Sequence, residues 1–218
     1  MKTRVRLTPD ARRAQLLAAG IKHFSERSYE HSSIEEVALK LGVSKALVFH
    51  YFPSKRDFYI EALRAASQQM LRLIETPPGL PAEEALRVAL DAYLGYVEER
   101  AAAYRAVLRG GIGADPEVQA IADGFRDAVY ERIVQLRGSG EPPPRLRVVM
   151  RGWIGLVEAA SLDWVQRRDL TRDQIVEQLA EALAALVQAA TSNKFLTTPL
   201  TLSPKLQPPL NPENSKRR

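Results

Sequence analysis

Residue types able to carry covalent or metal chemistry are scarce in this chain. It has no Cys, which removes thiolate nucleophiles, disulfides and Cys-based zinc sites together. Its three histidines, His23, His31 and His50, all fall in the first quarter of the chain, and no His-x3-His or Glu-x-x-His spacing offers a metal-ligand pair. The adjacent acids Glu35-Glu36, Glu83-Glu84 and Glu98-Glu99 point in different directions on a helix, so they read as solvated charge and not as a catalytic dyad. No catalytic residue, metal or cofactor is expected. What remains is recognition chemistry. Lys45, Ala46, Phe49 and His50 fall on the outward side of one short helix, with Lys45 and Ala46 at its N-terminal end and His50 following them.

The elements that position these four residues lie between Ser33 and Lys55. Ser33 followed by Glu36 predicts a capping box at a helix start. Ile34, Val37, Ala38 and Leu41 then repeat at i, i+3, i+4 and i+7, and Gly42 ends the helix by permitting a left-handed residue. Ser44 caps a second helix whose buried positions are Val48 and Phe52. Two helices at this spacing form a helix-turn-helix, with Ala38 as the small contact residue and Val37, Leu41, Val43 and Val48 as the shared core. A bare Ala-x3-Gly pattern also suits an ordinary helical hairpin, so the flanks decide.

Those flanks are A-R-R-A-Q-L-L-A-A-G-I-K-H-F before the motif and G-V-S-K-A-L-V-F-H-Y-F-P-S-K-R-D-F-Y after it. Together with the motif they resemble the DNA-binding domain of the TetR family of bacterial transcriptional regulators, over roughly the first quarter of the chain. The resemblance implies double-stranded DNA as partner, an inverted-repeat operator read by a homodimer, and phosphate contacts from Ser33, Ser44, Tyr51 and Lys55. It also implies a C-terminal domain that binds a small effector and dimerises through its last two helices, with repression the commoner outcome. The chain departs from the family's usual pattern at Ser28 and Ala46, where Gly is usual, at Phe49, where Tyr is usual, and at Tyr51, often His. Phe49 lacks the hydroxyl with which the family's Tyr often meets a phosphate.

Charge is segregated along the 218 residues. Residues 1–60 carry 11 Lys and Arg against 6 Asp and Glu, residues 61–190 carry 15 against 19, and the remainder carries 5 against 1. The cationic excess of the N-terminal segment suits phosphate neutralisation with counterion release. No apolar run reaches the length of a membrane span and the basic N-terminus lacks a signal-peptide core, so a cytoplasmic protein without a membrane partner is expected. Lys2, Arg4 and Arg6 read as disordered terminal charge or as an arm reaching DNA. Thr8-Pro9-Asp10 starts a helix buried through Leu17, Ile21 and Phe24, and Ser54 caps a fourth helix running to Ile74.

The rest reads as helix throughout. Leu86, Leu90, Tyr93, Leu94 and Val97 form one stripe, and helix continues from Tyr104 to Leu108. Gly110-Gly111-Ile112-Gly113 is a loop and not a nucleotide fingerprint, since no strand precedes it. A helix starts at Asp115-Pro116-Glu117, a linker spans Gly138 to Pro144, and two long helices follow, about 145–167 and 172–190, the second opened by a Thr171-x-x-Gln174 capping box. That last helix has two adjacent stripes, Ile175-Leu179-Ala182-Leu186 and Val176-Ala180-Leu183-Val187, too broad for a helix with one partner surface. Both lie in one subunit's core or form a dimer seam with the small-residue face Gly152-Gly155-Ala159.

The expected architecture is all α: an N-terminal three-helix DNA-binding domain with the helix-turn-helix (1–53), a larger helical ligand-binding and dimerisation domain (54–190), and a disordered, Pro-rich basic tail (191–218). Tyr93, Tyr96, Tyr104, Phe125, Tyr130 and Trp153 offer apolar walls with a few polar tips for a mostly apolar effector, with Glu158, Arg105 and Arg109 as polar anchors. The reading from a different class is a helical protein-interaction module without sequence-specific DNA binding.

Overall fold

The computed structural model describes residues 7–27, 29–101, 104, 115–138 and 140–192. Among these, all regular structure is helical: α1 (Pro9–Glu26), α2 (Ile34–Leu41), α3 (Lys45–Tyr51), α4 (Lys55–Leu73), α5 (Ala82–Glu99), α6 (Pro116–Arg137), α7 (Pro144–Arg167) and α8 (Arg172–Thr191). Lys2, Arg4, Arg6, Arg105, Arg109, the Gly110 to Gly113 loop and the tail from residue 193 lie outside the described residues.

Most helix starts follow from local chemistry. Thr8, Ser44, Ser54 and Asp115 each accept a backbone N–H of the first turn, and Thr171 and Gln174 form the reciprocal capping box. Ser33 behaves differently: it is the N-cap of α2, yet its side chain makes no cap bond. Its hydroxyl donates instead to Glu35 at 2.8 Å, and Glu36 pairs with Arg27 at 2.9 Å, so the expected Ser33–Glu36 box is replaced by two other contacts. Gly42 sits at φ 63°, ψ 36°, and the Gly42 and Val43 N–H groups bond Leu39 and Ala38 carbonyls, closing α2 with a left-handed residue.

Two apolar clusters hold the chain. The first joins α1 to α3 with the N-terminal half of α4 through Leu16, Phe24, Val37, Ala38, Val48, Phe52, Phe58 and Tyr59, with Val118 of α6 at its edge. On α1 the buried stripe is Leu16, Gly20, His23 and Phe24, while Leu17 and Ile21 are only half-buried. Gly20 is needed there, because a Cβ would come within 2.6 Å of the Phe58 ring. The second cluster joins the C-terminal end of α4 to α5, α6, α7 and α8.

In that second cluster α8 packs on both α5 and α7, which buries the N-terminal part of both stripes within the chain. Ile175, Val176, Leu179, Ala180 and Leu183 are all buried, whereas Leu186 is 37% exposed. Leu179 is thus a core residue. On α7, Trp153 and Trp164 are buried and donate their indole N–H groups to the carbonyls of Leu179 and Leu170, both at 2.9 Å. Gly152, Gly155, Leu156 and Ala159 remain exposed on the opposite side.

Candidate nucleic-acid interface and ligand cavity

The outward side of α3 is built from its inward side. Val48 and Phe52 are each 1% exposed and anchor the helix, which leaves Lys45, Ala46 and His50 exposed and Phe49 half-buried. Lys45, at the N-terminal end, pairs with Glu35 of α2, and its ammonium also lies 5.5 Å from the centroid of the Phe49 ring. His50 packs edge-on against Tyr51, centroids 5.4 Å apart. Lys55, at the start of α4, holds its ammonium 4.5 Å over the Tyr29 ring, and Ser44 is occupied as the cap of α3. Ser33 and Ser44 are thus the N-caps of α2 and α3, Lys45, Ala46, Phe49, His50 and Tyr51 lie on α3, and Lys55 opens α4.

His23 supports this face from below. It is 2% exposed, and its Nε2 accepts the Ser33 N–H at 3.3 Å, holding the start of α2 against α1. That bond leaves the proton on Nδ1, which is buried without a hydrogen-bond partner. Burial lowers the imidazole's pKa below its ordinary value, Lys40 and Arg27 add to this, and Glu36 and Glu26 oppose it. His23 was legible only as a histidine near the motif; its place on the stripe with Leu16 and Gly20 was the overlooked signal.

A second candidate site lies in the helical body. A cavity of about 330 Å³ is walled by Ile74 of α4, Leu90 and Tyr93 of α5, Phe125 and Val129 of α6, and Trp153 and Val157 of α7, with Glu75, Arg132 and Glu158 as its charged members. A smaller one, about 140 Å³, shares Tyr93, Phe125 and Glu158 with it and reaches Tyr96, Tyr104, Met70 and the α1 residues Ile21 and Phe24. The Tyr93 and Tyr104 hydroxyls bond each other, and burial pushes both phenols well above their ordinary range.

Of the residues expected to line a ligand site, Tyr93, Tyr96, Tyr104, Phe125, Trp153 and Glu158 line one or both cavities. Tyr130 lines neither; it is buried and lies under Arg151, 4.5 Å from the ring centroid. Glu158 is already held by Arg126 through two bonds of 2.9 and 3.0 Å, an ion pair between α6 and α7. Arg132 escaped the sequence reading because nothing local marks it. Its guanidinium reaches the Leu71 carbonyl and, at 3.1 Å, Glu75.

Headpiece and body are also joined by charge. Arg56 in the first turn of α4 makes two 2.8 Å bonds to Asp115, the N-cap of α6, and one of 3.0 Å to Glu117. Arg64, about two turns further along α4, also pairs with Glu117. Asp115 is held below the ordinary carboxylate range, first by Arg56 and then by the N–H of Glu117.

A capped helix-turn-helix on a helical body containing a cavity is the build of a DNA-binding regulator. Residues 16–62 match the family model described as bacterial regulatory proteins, tetR family, and residues 82–186 match the tetracyclin repressor-like C-terminal domain. The crystal structure of a tetR-family transcriptional regulator from Streptomyces coelicolor is 34% identical and superposes with a TM-score of 0.79, over 84% of this chain and 83% of that one. The chain belongs to the TetR family, whose members are transcriptional regulators and not enzymes. It is similar to the HTH-type transcriptional activator FasR of Mycolicibacterium smegmatis, at 27% identity over 79% of this chain and 81% of FasR. At the level of fold alone it matches the regulator FadR from Bacillus subtilis, solved in complex with stearoyl-CoA, at 17% identity and a TM-score of 0.62 over 78% and 96% of the two chains. No helix among the described residues is long and apolar enough to cross a membrane.

Proposed function

We propose that the protein is a homodimeric regulator, acting in the cytoplasm, that reads an inverted-repeat operator with α3 and is released from it by a mostly apolar effector bound among α4 to α7. The observation that carries the DNA reading is the placement of Lys45, Ala46 and His50 on the exposed side of a seven-residue helix whose other side is locked by Val48 and Phe52. Side chains at the N-terminal end of such a helix meet base edges, while flanking hydroxyls and lysines set its register on phosphates. Lys45→Ala should cost about 1–3 kcal/mol at particular bases, whereas Lys55→Ala should weaken all sequences and flatten the salt dependence by about one unit of slope. Unchanged affinity and salt slope in Lys55→Ala would remove its phosphate role.

Dimerisation is assigned to residues 145–190, through the exposed stripe of α7 together with Leu186 of α8, which is 37% exposed. Val148 is 62% and Leu156 41% exposed, and a Cβ added at Gly152 or Gly155 would meet nothing within 4 Å. A second copy is the occupant that membership of a two-fold-symmetric family favours, and it makes the operator an inverted repeat. Residues 1–53 act as the reader and 54–190 as the sensor and dimerisation unit. Repression follows where the operator overlaps a promoter. The relative FasR is named an activator, and a genome-wide footprint reads which arrangement applies here.

The effector reading rests on two cavities that share Tyr93, Phe125 and Glu158 in their walls. About 330 Å³ falls within the usual range of drug-sized sites, roughly 300–1,000 Å³, and the walls are mostly apolar, which suits a mostly apolar ligand. Long acyl compounds head the screen, because FadR was solved with stearoyl-CoA. Such a ligand changes DNA binding only by preferring the conformation that cannot span both half-sites. Ala89 lines the larger cavity, so Ala89→Trp should abolish ligand-induced DNA release while leaving operator affinity intact. Retained release would refute the cavity as the effector site.

A further inference from the structure

The carboxylate of Glu35 holds two groups on the DNA-facing side at once. One oxygen pairs with the Lys45 ammonium across the turn, and the other accepts the Ser33 hydroxyl at 2.8 Å. Both side chains of the ion pair stand open to solvent, Lys45 at 51% and Glu35 at 59% exposure, so burial does not demand the pairing. Nor does helix capping explain it, because Ser33 gives up its cap bond to α2 in making this contact. Lys45 and then Ser33 hold the Glu35 carboxyl down to about 2, so the negative charge persists wherever the protein binds DNA.

We propose that Glu35 is a specificity-determining residue that stands in for a DNA anion: it occupies Lys45 and Ser33 in the free protein and yields them only to a site offering better acceptors. The proposal rests on the reading of Lys45 as a DNA contact. On an arbitrary duplex Lys45 has only a phosphate to gain, and a phosphate competes with a carboxylate already in place. That complex loses one neutralised phosphate, and the freed Glu35 would face the backbone. At the operator a base edge with two acceptors, such as the O6 and N7 atoms of guanine, gives Lys45 more than Glu35 does. Weak binding to wrong sequences thereby raises the specificity ratio, which is a difference between two affinities.

The test uses the full-length protein with two labelled duplexes of equal length, one selected by the protein from a random library and one scrambled, titrated between 50 and 200 mM salt. Glu35→Gln should tighten the scrambled duplex by about two- to fivefold, the scale of one exposed ion pair. It should also steepen its salt slope by about one unit and shift the selected duplex less. Glu30→Gln removes a headpiece charge that does not touch Lys45 and measures the effect of net charge alone. In a Lys45→Met background, Glu35→Gln should fall to that control level. Equal effects of Glu35→Gln with and without Lys45, or an effect no larger than Glu30→Gln, would overturn the proposal. If Lys45→Met alone leaves both duplexes unchanged, the underlying DNA-contact reading fails, and the proposal fails with it. Glu35→Ala is measured in parallel, so a folding defect in one variant does not silence the assay.

Discussion

The headpiece, α1 to α3 with the start of α4, and the body behind it are packed to different standards. In the headpiece a glycine lets one aromatic ring touch the α1 backbone, and Phe24, Phe52 and Phe58 meet at centroid distances of 4.8 to 5.6 Å. The body has a comparable number of aromatic side chains but leaves about 330 Å³ unfilled among them. A reader of base edges must hold its side chains within fractions of an ångström, while a sensor must lose packing energy to keep room for a ligand. Ion pairs at Arg56 and Arg64, and not a shared core alone, carry position from one to the other.

The largest expected effect contrasts two leucines on α8. Leu179 is 3% exposed, so Leu179→Glu buries an unpaired charge and should cost more than about 4 kcal/mol, read as loss of the cooperative helical melt. Leu186→Glu, at an exposed position, should leave the melt nearly unchanged and shift sedimentation from dimer to monomer. A native chain that sediments as a monomer at micromolar concentration would remove the dimer reading altogether.

Next is the tight spot in the headpiece. Gly20→Ala would ordinarily stabilise a helix, but here its Cβ meets the Phe58 ring at 2.6 Å, and overpacking should make the net change destabilising by about 1–3 kcal/mol. Phe58→Leu should relieve the clash in the double variant. A glycine-to-alanine change that stabilises the protein would show that the headpiece has slack.

A smaller effect separates the regions by pH. All three histidines are in the headpiece, and the buried one has a lowered pKa. Below about 6.5 the unfolded chain takes up a proton that folded His23 resists, so headpiece stability should decline as pH falls from there. The body's paired acids, such as Glu177 with Arg87, have lowered pKa values. Their contribution is present above the ordinary carboxylate range and is lost only as pH falls below it. Hydrogen exchange compared at pH 7 and 5.5 should show protection falling in α1 to α3 before α7 and α8, and His23→Leu should erase that difference.

The smallest effect concerns the clasp. Arg56→Gln should raise hydrogen exchange in the first turn of α6 with little change in the melt, since the pair is partly exposed. It should also weaken the coupling between effector and DNA. Unchanged exchange would mean that apolar contact alone joins α4 to α6.

How much of this was legible depended on how local the deciding interaction is. Gly42, Ser44, Ser54, Asp115 and the Thr171–Gln174 box announce themselves within four residues and stand as expected. Ser33 and Glu36 have the same local pattern as Thr171 and Gln174, yet Glu35 takes the Ser33 hydroxyl from within the four-residue window, and His23 and Arg27 claim the Ser33 N–H and the Glu36 carboxylate from outside it. The broad apolar face of α8 was equally visible, but whether α5, α7 or a second subunit covers it is a property of the assembled bundle. Cavities are less legible still, since the same aromatic residues serve a filled or an open interior. The exposed side of α3 was easier because the helix is short and the buried Val48 and Phe52 dictate which side faces out.

The contact between Gly20 and Phe58 bears on how such proteins are recombined. A hybrid regulator that joins this headpiece to a foreign sensor at residue 53 keeps the whole helix-turn-helix but replaces the ring that α1 was shaped to receive. Moving the splice beyond Ala62 carries Phe58, Tyr59 and Glu61 along with their α1 partners, and the transplanted unit keeps its own floor.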